Sequence, residues 1–393
     1  MLNEQTEHLG DLFKSSRQKG EEGLPLLSVT LNDGLVVRDQ LDRRTETSLS
    51  SKDHLMVKKG YIAYNMMRVW QGALGRATTD GLVSPAYVVL RPTKKIDSLY
   101  AEYLFKTSRL IYLFWAYSYG LTKDRLRLYY NDFSRISVRI PKIETQKKIA
   151  QILSTWDKAI NTTEQLLANS QQQKKALMQQ LLTGKKRLLD ENGVRFSGEW
   201  EQKPLGKLGE VVGGLTYSPA DVTDEEGTLV LRSSNIQNGS LSFNDNVYVT
   251  CTVPEKNITR ENDILLCVRN GSKALIGKSA LLRGKGINCF HGAFMSIFRA
   301  KEPLFIFQLF QSNLFYKEVQ KNLGATINSI NGSDLRKFKF LIPGSKEERD
   351  KIAAVLSSSD QEVSALIHKL DTLKQEKKAL MQQLLTGKRR VIV

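Results

Sequence analysis

The side chains of this chain with chemistry to offer are arginines, lysines and asparagines set in loops. One group is Asn65, Arg68 and Arg76, with Lys123, Arg125 and Arg127 further on; the other is Arg232, Asn235, Arg269, Asn270, Lys273 and Lys278, with Asn328 and Asn331 further on. Arginine pairs bidentately with guanine O6 and N7, and asparagine with adenine N6 and N7, so these are the residue types of major-groove readout. Any one of them alone reads as a solvated residue or a phosphate contact. As a set they favour a polyanionic partner, because 58 Lys+Arg against 41 Asp+Glu give a net charge of +17. Duplex DNA fits that charge and those residue types together.

Catalytic constellations are scarce by comparison. His8, His54, His291 and His368 have no partners at metal-ligand or triad spacing, and no G-x-S-x-G, H-E-x-x-H or G-x-G-x-x-G is present. Gly271–Ser279 comes near a phosphate-binding loop, but five residues separate its glycines where that loop has four. The amides of such a loop must converge on the phosphates, so one extra residue matters. A glycine-rich hairpin between strands is the plainer reading, and a nucleotide hydrolase using this loop is the alternative from another functional class. Cys251, Cys267 and Cys289 lack C-x-x-C spacing. That argues against a disulfide scaffold and a zinc site, so no metal is expected.

Positioning such loops takes more than one domain. At 393 residues the chain exceeds the usual ceiling for a single core. Its 41% hydrophobic and 25% charged residues are ordinary for a globular protein and exclude a wholly disordered one. No apolar run approaches the ~20 residues that span a bilayer, and Met1–Gln5 opens with neither a basic nor an apolar stretch. The expectation is a protein of a reducing cytoplasm, with no membrane attachment.

The strongest feature is an internal repeat. Lys174–Lys185 reads KKALMQQLLTGK, and Lys377–Lys388 reads the same 203 residues further on. Upstream, Ile149, Ala150 and Leu153 match Ile352, Ala353 and Leu356 at that offset; Asp132–Pro141 parallels Asp334–Pro343, and Leu9–Leu12 parallels Leu205–Leu208. A period near 200 residues is a duplicated domain and not a solenoid. The duplicated plan is a variable domain followed by a similar helix.

Those helices carry a seam. Ile149, Leu153, Trp156, Ile160, Thr163, Leu167, Ser170, Lys174, Leu177 and Leu181 step by four and three, the spacing of a coiled coil. Ile352, Leu356, Ser359, Val363, Leu366, Leu370, Leu373, Lys377, Leu380 and Leu384 repeat the register. Ser345 and Glu348 have the spacing of a capping box, and Gly184 and Gly387 are stop signals. Each helix should run roughly 40 residues, about 60 Å. Two copies in one chain can bury each other, so an antiparallel pair is expected. The variable domains read as mixed α/β, with strands near Tyr61–Tyr64, Ala86–Leu90, Asp263–Val268 and Ala293–Phe298. The aromatic stretches Leu99–Tyr119 and Pro303–Leu323 read as buried helices.

Ile140-Pro141, Gln146–Leu153 and Lys175–Lys185, with their second copies from Ile342-Pro343 to Val391, resemble the conserved helical region of type I restriction-modification specificity subunits. Phe196–Trp200 leading to Leu205-Gly206 resembles the opening of one of their target-recognition domains. The family's Glu-Gln pair before the helix is represented here only by Glu144-Thr145-Gln146 and Glu347-Glu348-Arg349. The resemblance implies an α+β, mixed α/β fold with two pseudo-symmetric target-recognition domains separated by two long helices in an antiparallel coiled coil. Its parts are a first recognition domain at 1–141, a helix at 142–187, a linker at 188–197, a second recognition domain at 198–343 and a helix at 344–390. It implies a non-catalytic reader of a bipartite, asymmetric DNA site, with the helices as a ruler and as docking surface for two methyltransferase subunits. Restriction and translocase subunits join that complex. S-adenosylmethionine, ATP and magnesium are expected on the partners, with no cofactor on this chain. A specificity protein of another methylation-based phage-defence complex is the nearest alternative. Base-contacting residues vary across the family, so none is carried over.

Overall fold

Ile62–Asn65 and Tyr87–Pro92 are runs of apolar, β-branched and aromatic residues, and both become inner strands covered on either face. The computed structural model describes residues 5–41, 49–122, 125–252, 254–323 and 328–391. By its contacts the chain divides into two units, Met1–Glu164 with Lys369–Val393, and Gln165–His368.

In the first unit, strand Gln5–His8 runs through the one-turn helix α1 (Leu9–Leu12) into strand Phe13–Ser16. An antiparallel sheet has the order Phe13–Ser16, Tyr87–Pro92, Ile62–Asn65, Leu74–Arg76. Helices α2 (Ser98–Phe105) and α3 (Ser108–Ala116) follow, their first turns capped by Asp97 and Thr107. Helix α4 (Tyr130–Arg135) leads to strand Ser137–Ile140, which closes back on Gln5–His8, and then to helix α5 (Ile143–Leu181). Phe13, Tyr64, Phe105, Phe114 and Phe133 pack ring against ring at the centre, and Leu384 and Leu385 enter the same core from the far end of the chain. Burying two leucines stabilises by roughly 1.5–3 kcal/mol each.

The second unit builds the same framework. Strand Trp200–Pro204 pairs with Lys339–Pro343, and α6 (Leu205–Leu208) leads into a sheet of order Gly209–Gly213, Met295–Ala300, Ile264–Cys267, Ser279–Leu281. Helices α7 (Pro303–Phe310), α8 (Asn313–Asn322) and α9 (Gly332–Lys337) take the places of α2, α3 and α4, and α10 (Lys346–Leu385) takes that of α5. The repeat therefore extends through strands where sequence identity has faded.

The seam reading holds. Ile149, Leu153, Ile160, Leu181, Ile352, Leu356 and Leu384 are buried, and Trp156, Leu167, Leu177, Val363, Leu366, Leu370, Leu373 and Leu380 are half-buried. The seam is shared, however. Ile149, Leu153, Leu380 and Leu384 belong to the first unit's core, and Leu177, Leu181, Ile352 and Leu356 to the second's. Each unit fixes the antiparallel direction by its own polar contacts. In the first, Lys377 pairs with Asp157, and Lys374 meets Glu164 at 2.7 Å; in the second, Lys174 pairs with Asp360, and Ser170 donates to Glu362 at 3.0 Å. Lys174 and Lys377 are equivalent under the repeat, as are Asp157 and Asp360, so this is one contact made twice. Each aspartate also accepts from its domain, from Tyr103 Oη at 2.5 Å and from Gln308 Nε2 at 2.6 Å.

Gly184 and Gly387 end the helices at φ 72° and 70°, with the amides of Lys186 and Arg389 donating back to Gln180 and Gln383. Two expectations are corrected. The Glu348 amide donates to Ser345 Oγ at 3.4 Å, but the Glu348 carboxylate does not close a capping box: it is buried against Arg187. In α3 only Leu110 and Phe114 are buried, while Tyr112 and Trp115 are exposed, because a helix on the domain surface buries one stripe only.

Candidate nucleic-acid interface

In the second unit three loops converge. Strand Ile264–Cys267 ends at Val268, whose amide donates to Phe294 O at 3.0 Å; the Arg269 amide does the same at 3.1 Å. Ile330 donates to Val268 O at 2.8 Å, and Asn328 Nδ2 to Gly271 O at 3.0 Å. The result is a concavity of about 190 Å³ whose lining includes Arg269, Ser329 and Asn331. Arg269 is exposed with its guanidinium 5.9 Å from the ring centre of Phe294, itself 56% exposed. An arginine held over a ring still has its donors available to a guanine edge or a phosphate. Asn270 is spent on its loop, donating to Ser233 Oγ at 3.2 Å and accepting from Ser272 N at 3.0 Å. Lys273 and Asn331 are exposed.

Three candidates of this unit have structural work instead. Asn235 is fully buried, accepting from Arg232 N at 2.9 Å and donating to Ser242 O at 2.9 Å, so it cannot reach a base. Arg232 is held by Asp245 at 2.8 Å, and Lys278 Nζ donates to Ile236 O at 3.1 Å. The Gly271–Ser279 segment is the hairpin between strands Ile264–Cys267 and Ser279–Leu281. A phosphate loop delivers its amides at a helix N-terminus, and here an antiparallel strand follows, so the nucleotide-hydrolase alternative loses its loop.

The first unit repeats the arrangement with other side chains. Leu128 donates to Met66 O at 3.0 Å, the counterpart of Ile330 on Val268, and brings residues 125–129 beside the loop after Asn65. Arg68, Arg125 and Arg127 are exposed. Asn65 Oδ1 accepts from Met67 N at 2.9 Å and shapes the turn. Arg76 lies 3.8 Å from Glu102 of α2, part-buried beside the sheet, and is a framework residue. Lys123 lies outside the described residues.

Exposed aromatic residues are the feature that reading for charge and amides missed. Tyr112, Trp115, Tyr119 and Tyr129 are 61%, 49%, 58% and 36% exposed, and Phe294 joins them in the other unit. The signal was present: Tyr112 and Trp115 fall off the Leu110/Phe114 stripe at helical spacing. Among the described residues no group of acidic, histidine and cysteine side chains is arranged to hold a metal ion, and no helix is long and apolar enough to cross a membrane. His291 is buried and its pKa is pushed down to about 4, chiefly by that burial, so it packs as a neutral ring.

A pair of like domains, each closing a small sheet with surface loops of cations and aromatic rings, defines a protein that presents two separate reading surfaces. The family model for the type I restriction modification DNA specificity domain matches residues 9–169 and 197–375, and the chain belongs to that family, with two copies of its domain. It is 26% identical over 351 residues to the type I restriction enzyme MjaVIII specificity subunit of Methanocaldococcus jannaschii, covering 83% of this chain and 79% of that one. It is 25% identical over 204 residues to the StySPI specificity subunit of Salmonella potsdam, a match over 48% of this chain and only 43% of that relative. The fold is shared with the crystal structure of the type I restriction-modification S subunit from M. genitalium, at TM-score 0.62 and 15% identity over 98% and 96% of the two chains. A chain solved in a study of type I R-M complex assembly gives TM-score 0.55 at 15% identity, over 97% of each chain.

Proposed function

We propose that this chain is the DNA-reading, non-catalytic subunit of a type I restriction-modification complex, each domain reading one half of a bipartite, asymmetric site in double-stranded DNA. The observation that carries this is a single framework built twice with different side chains at equivalent loop positions. Arg269, stacked on Phe294, follows the inner strand in the second unit; Met67 and Arg68 follow it in the first. A constant framework with unlike loops is what independent reading of two unlike half-sites requires. Relatives named as specificity subunits support the reading. The solvated faces of α5 and α10, including exposed Gln171, Gln172, Gln173, Gln179 and Gln180, dock two methyltransferase subunits in this scheme, and the restriction and translocase subunits join through the complex. S-adenosylmethionine, ATP and magnesium belong to those partners, and the complex works in the cytoplasm. Replacing residues 197–343 with another recognition domain tests it, with methylated sites mapped across the host genome. One half of the motif should change while the other stays; a change in both refutes independent reading.

A further inference from the structure

Tyr119 and Tyr129 are exposed and packed against each other as a tilted pair, ring centroids 5.4 Å apart at 33°. They are held there by backbone: the Tyr119 and Arg127 amides and carbonyls exchange hydrogen bonds at 3.2 and 2.9 Å, and Leu128 is tied to Met66. The two rings thus form a fixed apolar face with two hydroxyls at its edge. Arg125 and Arg127 lie between the two tyrosines in sequence and are exposed, and the one carboxylate of 108–130, Asp124, lies outside the described residues. Exposed aromatic surface in a loop that carries two exposed arginines fits a polyanion that also offers apolar contact. Duplex DNA does so in its major groove, where the thymine C5-methyl is the apolar feature of the base edges.

The geometry points to the Tyr119–Tyr129 ring pair as the specificity element of the first domain: its rings contact a thymine methyl, while Arg125 and Arg127 hold the flanking phosphates. This rests on the DNA-reading role proposed above and names the residues behind it. The second domain supports the assignment by contrast. At the position equivalent to Tyr129 it has Asn331, so the ring pair serves one half-site only.

The test is selection from a random duplex pool by the full chain with its methyltransferase partner, comparing the wild type with Tyr119→Ala, Tyr119→Phe and the pair Arg125→Gln/Arg127→Gln. Each thymine of the selected half-sites is then replaced by deoxyuridine. One replacement should weaken wild-type binding about four-fold, the worth of one buried methyl, and Tyr119→Phe should keep that sensitivity. Tyr119→Ala should abolish it and relax the base preference at that position, with thermal unfolding unchanged. The arginine pair should lower affinity for every sequence and reduce the salt slope by about two. The proposal is overturned if Tyr119→Ala selects the same half-site with the same deoxyuridine response. It is also overturned if Tyr119→Ala loses the methyltransferase subunit while its DNA preference is kept, which makes the face a protein interface. A wild type that selects no sequence refutes the DNA-reading role itself, a separate failure.

Discussion

Removing the guanidinium of Arg187 should cost the second unit far more than removing that of its repeat-mate Arg390. Arg187 Nε and Nη2 donate to the Glu348 carboxylate at 2.5 and 2.7 Å, and Nη2 also donates to Gly198 O at 2.9 Å. The Glu348 side chain is 1% exposed and that of Arg187 is 19%. Arg187→Met leaves a carboxylate buried without its partner, a defect of about 3–5 kcal/mol. The unit spans Gln165–His368, a size at which each kcal/mol moves Tm by about 2–4 °C. The expected fall is therefore about 6–20 °C in the transition of that unit, read by calorimetry. Arg390 supplies an internal control. It is exposed, and the residue equivalent to Glu348 is Thr145, which has no charge to pair. Arg390→Met should lie within about 0.5 kcal/mol of wild type. Arg187→Met with Glu348→Leu should recover most of the loss, because well-packed apolar residues replace buried ion pairs at little cost. An Arg187→Met transition within 2 °C of wild type, or an equal fall for Arg390→Met, refutes the reasoning.

Three further outcomes are expected. His291 holds a pKa of about 4 against an ordinary 6.5; the unfolded chain takes up the proton first, so stability is complete above pH 6.5 and falls by about 3 kcal/mol towards pH 4. His291→Gln should flatten that slope in urea titrations, and an unchanged slope places the acid sensitivity elsewhere. Lys377→Asp sets two carboxylates face to face and should destabilise by about 1 kcal/mol, since Asp157 is 38% exposed; adding Asp157→Lys should restore the loss, and a double variant no better than the single denies the pairing. If the helices act as the ruler, one heptad added after Leu167 and another after Leu366 keeps the 3.5-residue phase and adds about 10.5 Å of helix. Methylation mapping should then show up to about three more base pairs between the half-sites, and an active variant with the old spacing excludes a ruler.

The long helices were legible because a seam of large apolar residues at steps of four and three has few other uses, and the twelve-residue repeat set their register. The two inner strands of each four-stranded sheet were legible as apolar runs, each within two residues of the observed strand, while the outer strands Phe13–Ser16, Leu74–Arg76, Gly209–Gly213 and Ser279–Leu281 were not. Which of the candidate loop side chains are exposed was only partly legible. Arg68, Arg125, Arg127, Arg269, Lys273 and Asn331 are exposed, while Asn235, Arg232, Lys278 and Arg76 hold the framework. Residue type cannot separate those roles, because an asparagine that satisfies a buried turn and one that reads adenine offer the same donors and acceptors. What separates them is whether a carbonyl or carboxylate across the loop has already taken the hydrogen bonds, and such partners lie anywhere from three to 42 residues away, at no fixed spacing.

Gln146 and Arg349, equivalent under the repeat, show how a role survives a change of residue. Gln146 is buried, accepts from the Asp97 amide at 2.9 Å, and donates to Lys95 O at 3.1 Å and Pro141 O at 2.8 Å. Its counterpart Arg349 donates to both carboxylate oxygens of Glu302 at 2.6 and 2.7 Å, and to Pro343 O at 2.6 Å. Both tie the start of a long helix to the loop that enters an earlier helix of the domain, α2 in one unit and α7 in the other. The amide works in one copy because a backbone N–H faces it; the guanidinium works in the other because a carboxylate does. Compared by residue type the two positions differ, and compared by contact they match. This has a consequence for exchanging residues 197–343, since that graft removes Glu302 and leaves Arg349 behind. A donor domain with an acidic residue at the position of Glu302 should accept the old helix; one with a neutral residue there should need Arg349→Gln before the exchanged domain folds and its half-site is read.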